Sequence, residues 1–286
     1  MRWRGERESE NVEDRRGIRV GGRGLAIGGG GLLLIIALAL FTGQDPTVLL
    51  EQLTGGPSVS VDPQQAGRDG APSDELGQFS SVVLASTEDV WTQTFAGSGR
   101  RYQAPTLVLF SDAVQSACGF GSAAAGPFYC PMDNKVYLDL SFFADLERRF
   151  GAPGDFAHAY VIAHEVGHHV QNQLGIASKV RAAQRQLSAG EANSLSVRME
   201  LQADCLAGVW AYHANRNRKL LEPGDVEEGL TAAAAIGDDR LQKRTQGYTV
   251  PESWTHGSSV MRVKWLQRGL QSGDIDACDT FSSDAL

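Results

Sequence analysis

The chain has 286 residues, enough for one good-sized domain or two small ones, and its 42% hydrophobic and 21% charged residues are ordinary for a globular protein. The net charge of −8 is uneven: residues 1–24 hold seven arginines and five acids, a balance of +2, which leaves −10 on the remainder. An acidic body without a basic stripe repels phosphate backbones, which excludes nucleic acid as an expected partner.

In chain order, residues 1–24 are polar, Arg/Glu-rich and without apolar periodicity, and are expected to form a disordered cytoplasmic tail. Leu25–Phe41 is uncharged and apolar over 17 residues, near the lower limit for a spanning helix, and Gly28–Gly31 weakens it. Arg15, Arg16, Arg19 and Arg23 precede it, and Asp45 and Glu51 follow, so the positive-inside rule puts the N-terminus in the cytoplasm and the rest of the chain outside. A cleaved signal peptide is the competing reading. Phe41-Thr42-Gly43-Gln44 offers no clean small-x-small cleavage site, which favours a retained single-pass anchor. Residues 42–75, with Gly55-Gly56-Pro57 and Gly70-Ala71-Pro72, read as a linker. One folded domain is expected over 76–286.

Within that domain Leu76–Thr94 is expected to be helical, Thr106–Phe110 a short strand, and Lys135–Phe143 a second strand with Val136, Leu138 and Leu140 alternating. Pro153-Gly154-Asp155 starts a helix, with Asp155 as N-cap, that stops at Gly175. Helices follow at Ser178–Leu187, from about Ser194 to Asn215, from Asp225 through Ala235, and at Ser258–Leu270. The fold class is α+β, mainly helical with a small sheet, behind one N-terminal transmembrane helix. Cys118 and Cys130 flank a Gly/Ala-rich loop, and Cys205 and Cys278 remain as a second pair. In an oxidising compartment these four are expected to form disulfides, and no CxxC spacing suggests a structural metal site.

The segment His164-Glu165-Val166-Gly167-His168 sits inside the expected helix. Histidines at i and i+4 project from one face, so both imidazoles reach one metal ion. Glu165 lies about 100° round the helix, where it reaches a water as general base without being a ligand. A catalytic zinc takes three protein ligands and leaves a fourth position open. Among the candidates for the third (His158, His169, His213, His256 and several acids), Glu200 of Glu200-Leu201-Gln202-Ala203-Asp204 is the most persuasive. Its helix also carries Asp204 one turn on, positioned to accept from the outer nitrogen of a ligand histidine. Both acids lie among apolar Leu201, Ala203, Leu206, Val209 and Trp210, and a buried carboxylate needs a cation or strong hydrogen bonds.

The HExxH helix followed by a Glu-x-x-x-Asp helix resembles the gluzincin pattern. More closely, Gly126–Tyr129, Tyr137–Ser141, His164–His169, Glu200–Asp204, Gly237-Asp238-Asp239 and Thr255–Ser258 together resemble the bacterial neutral zinc metallopeptidase family, over roughly residues 76–286 and the anchor. The resemblance implies a zincin-like fold, one catalytic zinc ion and a peptide or protein substrate. A more distant similarity links Thr255–Ser258 and Arg262 to membrane zinc proteases of the CAAX-prenyl and heat-shock type. It implies that His256 donates to the oxyanion and Arg262 orients substrate backbone or an acidic neighbour. His256 as a helix N-terminal residue with only a local hydrogen bond is an equal reading. The strand Lys135–Leu140 is expected to offer an edge to an extended peptide. Rival readings are a zincin-fold binding or assembly protein at the membrane and a zinc hydrolase of a non-peptide amide.

Overall fold

The computed structural model describes residues 1–16, 72–123 and 126–282, and the backbone of 68–69. The expected anchor at 25–41 and nearly all of the expected linker lie outside the described residues. Among the described residues no helix is long and apolar enough to cross a membrane.

Five strands make the main sheet. They are β1 (Val12–Asp14), β2 (Arg68–Asp69), β3 (Thr106–Phe110), β6 (Phe128–Cys130) and β7 (Lys135–Asp139), in the order β2-β1-β3-β7-β6. β1 and β7 run parallel to β3 on its two sides, and β6 is antiparallel to β7. β4 (Ala113–Ser116) and β5 (Gly119–Ser122) form a separate hairpin, which the Cys118–Cys130 disulfide ties to β6.

The expectation of a disordered tail fails for the first sixteen residues. Met1, Trp3 and Val12 are buried in the core, and β1 is an internal strand of the sheet. The charges that read as solvated are specifically paired. Arg7 donates to Glu88 (3.0 Å) and Asp89 (2.9 Å), the Ser9 hydroxyl to Glu88 (2.6 Å), and Lys135 to Glu13 (2.5 Å). The segment has too few apolar residues to show a period, yet places each one inward.

The helices are α1 (Glu75–Gly97), α2 (Ser141–Arg148), α3 (Asp155–Gln173), α4 (Ile176–Gln184), α5 (Ala189–Arg218), α6 (Asp225–Ala235), α7 (Asp238–Gln246) and α8 (Ser259–Ser272). The expected strand Lys135–Phe143 ends early because Asp139 turns the chain. One carboxylate oxygen accepts from the Ser141 amide (2.8 Å) and the other from the Asp112 amide (2.8 Å), so Phe142 and Phe143 fall in α2. Gly154, not Asp155, is the N-cap of α3, and the Asp155 carboxylate instead accepts from the Met1 amino group (2.8 Å). α5 starts five residues before the expected Ser194 because Ser188 and Glu191 form a capping box.

Packing of α5 sets the site. A Cβ on Gly167 would lie 3.0 Å from the Ala203 carbonyl oxygen, so α3 and α5 cross in near backbone contact at the HExxH turn. On the other side of α5, a Cβ on Gly269 would lie 1.9 Å from the Cys205 carbonyl oxygen. Glycine there lets α8 approach closely enough to bring a long side chain under the acids of α5.

Candidate metal centre

α3 supplies His164, Glu165 and His168, and α5 supplies Glu200 and Asp204. The ligand atoms of His164, His168 and Glu200 lie within 4.8 Å of one another. His164 Nε2 is 3.1 Å from one Glu200 oxygen and His168 Nε2 is 3.3 Å from the other, with the two rings at 87°. Two imidazole nitrogens and a carboxylate therefore converge on one point, the donor set of a catalytic zinc with an open fourth position.

Behind the ligands, Asp204 is fully buried and accepts four hydrogen bonds. They come from His164 Nδ1 (2.8 Å), Tyr160 Oη (2.5 Å) and two nitrogens of Arg262 (2.9 Å each). The bond from Nδ1 leaves His164 Nε2 to face Glu200. Burial alone would raise the Asp204 pKa, but the Arg262 charge and His164 hold it at about 2. Burial alone would lower that of His164, yet the charge of Asp204 and hydrogen bonds to Asp204 and Glu200 lift it to about 10. Glu200 is held well below the usual carboxylate range against the effect of burial, by the charge of His168 and its bonds to both rings. A buried site that draws protons onto its histidines this strongly has the negative potential that favours a cation.

The sequence-derived residues are placed as follows. His164, His168 and Glu200 are brought together, with Glu165 on the same open cleft of about 570 Å³. Arg262 is 2% exposed and donates to Asp204, an acidic neighbour. His256 lines the cleft half-exposed, with Nδ1 3.3 Å from Asp238. Asp238 also accepts from the amides of Thr255 (2.8 Å), His256 (2.7 Å) and Gly257 (3.0 Å), fixing that loop. Of the other histidines, His169 takes no part in the cluster: its Nε2 meets the Gln103 carbonyl (2.6 Å) and its Nδ1 the Tyr129 hydroxyl (3.0 Å). Both disulfides pair as expected, Cys118 with Cys130 and Cys205 with Cys278.

Sequence reasoning missed Tyr160 and Gln171. Both stood in plain view at helical spacing, Tyr160 one turn before His164 and Gln171 three residues after His168. Gln171 Oε1 lies 2.9 Å from His168 Nδ1.

Among known proteins, "Uncharacterized protein YpfJ" of Escherichia coli strain K12 is 52% identical over 290 residues, covering 98% of this chain and 99% of its own. "Uncharacterized protein Mb2605" of Mycobacterium bovis is 45% identical over 227 residues, 76% of this chain and 74% of its own. No solved structure matches. The model of the family described as "Putative neutral zinc metallopeptidase" matches residues 1–281, a span that takes in the N-terminal strand as well as both metal-site helices. The chain belongs to that family.

Proposed function

We propose that the protein is a zinc-dependent endopeptidase, with zinc held by His164, His168 and Glu200. The observation that carries this reading is the convergence of those three donors beside Glu165 on an open cleft. When bound, zinc supplies Lewis-acid chemistry, lowering the pKa of water toward about 7 and polarising a carbonyl. Glu165 then takes the proton of the attacking water and returns it to the leaving amine. His256 donates from Nε2 to the developing oxyanion. Its hydrogen bond to Asp238 raises its pKa against burial and so favours the form protonated on both nitrogens.

The strand to which an extended peptide adds is β6, not β7 as expected from the sequence. β7 is bonded on both sides, by β3 and β6, whereas β6 ends the sheet among the described residues and its Phe128 and Tyr129 line the cleft. Two disulfides favour an oxidising compartment for the domain, and the apolar run Leu25–Phe41 is proposed to engage a membrane.

The test is cleavage of a peptide pool by the purified chain, with and without chelator, beside Glu165→Gln. Loss of cleavage in both, with the variant retaining zinc, is expected. Glu165→Gln cleaving as fast as wild type sinks the mechanism. A chain that binds zinc and cleaves no peptide returns the reading to a binding protein or a hydrolase of another amide.

A further inference from the structure

The two ligand histidines are oriented by unlike partners. His164 meets an ionised carboxylate, whereas His168 meets the neutral amide of Gln171. Gln171 is fully buried, and its amide is fixed in one sense. Nε2 donates to the Met199 carbonyl (2.7 Å) and to Gln202 Oε1 (3.1 Å), so Oε1 is the atom left to face His168. An acceptor there requires the His168 proton on Nδ1, which frees the Nε2 lone pair for a metal.

Gln202 is fixed in turn. Its Nε2 donates to the Cys278 carbonyl (2.9 Å), so its Oε1 must face Gln171. Turning the Gln202 amide over would set nitrogen against nitrogen and oxygen against oxygen at its two ends. Cys278 lies in a single 3₁₀ turn, Ile275–Cys278, whose covalent tie to α5 is the disulfide to Cys205, the residue after Asp204. Beyond it, the Thr280 hydroxyl donates to the Arg198 carbonyl (2.7 Å).

We propose that Gln171, Gln202 and the disulfide-held carbonyl of Cys278 form a relay of positioning groups for His168, through which the Cys205–Cys278 bridge controls how tightly the site holds its metal. This rests on the ligand assignment proposed above. Without the bridge the 3₁₀ turn keeps only non-covalent ties to α5, such as the Thr280–Arg198 bond, so the Gln202 donor can lose its acceptor, its amide can reverse, and Gln171 is then held in its sense by the Met199 carbonyl alone. A reversed Gln171 presents N–H to His168, which then accepts at Nδ1 and carries its proton on Nε2, the atom needed for the metal. A partly satisfied buried network is in this way worse than none.

The test is zinc retention by the purified full chain, read by competition with a chromophoric chelator, in Gln202→Leu, in Cys205→Ala/Cys278→Ala, and in all three changes together. His164→Ala, measured first, establishes that the zinc being followed sits at this site. Each alteration of the relay is expected to weaken zinc retention about 10- to 100-fold. The combination is expected to be no weaker than the more affected parent, since both cut one chain. A bridgeless protein that holds zinc like wild type, or effects that multiply, overturns the relay. Where the bridgeless protein does not fold, Gln202→Leu decides alone: wild-type retention overturns the proposal, and a loss of 10-fold or more with a normal metal-free melt upholds it. A chain that holds zinc through this relay yet cleaves no peptide defeats the peptidase reading and leaves the relay standing. Zinc retention unaffected by His164→Ala defeats the ligand assignment and the relay together.

Discussion

The ion pair under the metal site gives the sharpest test of the packing. Asp204 is fully buried and Arg262 2% exposed, and Arg262 Nε and Nη2 both donate to the carboxylate at 2.9 Å. Asp204→Leu removes the partner and leaves a guanidinium stranded among Tyr160, His164 and the Ile236 carbonyl. Breaking a buried pair from one side costs about 3–5 kcal/mol, and replacing both partners with apolar side chains is often neutral or stabilising. At about 2–4 °C per kcal/mol for a domain of this size, Asp204→Leu should lower Tm by roughly 6–20 °C. Asp204→Leu/Arg262→Met should recover most of that loss. The assay is calorimetry on zinc-free protein, so that weaker metal binding does not contribute. If the double variant melts as low as the single one, the stranded charge is not what destabilises, and the reasoning fails.

Deleting residues 1–16 removes three buried side chains, Met1, Trp3 and Val12, at about 1.5–3 kcal/mol each. The sum, roughly 5–9 kcal/mol, rivals a typical total stability, so circular dichroism should find the truncated chain unfolded at 37 °C; a folded truncation refutes the role of β1. His169 is lowered to about 4 by burial, against its bond to the Gln103 carbonyl. A histidine kept neutral contributes fully above its unfolded value near 6.5, and the contribution is lost as pH falls toward 4. Denaturant melts should therefore show about 3 kcal/mol more acid destabilisation in wild type than in His169→Gln. Equal pH slopes in the two proteins contradict this. His256→Ala should lower kcat about 10²–10³-fold with zinc content unchanged, and an unchanged kcat removes it as oxyanion donor.

The metal-site helices were legible because their chemistry and their packing share one period. In α3, His164 and His168 repeat at the same 3.6-residue interval as the apolar residues around them. In α5, Glu200 and Asp204 stood out as acids on a helix otherwise built to be buried. β1 and β6 were not legible. Each has three residues, and each is a strand only because β3 or β7 supplies its hydrogen bonds, a fact of tertiary pairing that no local pattern carries. Lys135–Phe143 misled because the alternation continues in letters past Asp139, where the backbone has already turned. Ser188 and Glu191 form a capping box of the kind a sequence shows, and it starts α5 five residues before Ser194.

The pairing of β1 with β2 bears on how this chain meets a lipid bilayer. Asp14 and Arg68 are opposed Cα partners, and paired strands lie about 4.8 Å apart, so the intervening polypeptide departs and returns at nearly one point. A hydrocarbon layer is about 30 Å thick. A solitary traverse by Leu25–Phe41 would strand β1 on the opposite leaflet from β3, its hydrogen-bonded neighbour. We therefore propose that Asp14 and Arg68, the paired ends of that polypeptide, lie on one side of any bilayer it meets, in place of the single crossing expected from the flanking arginines. Glu10→Cys and Tyr248→Cys, both at exposed positions, should then react alike with an impermeant maleimide on intact cells, and unlike reactivity would mean that the sheet does not form as described.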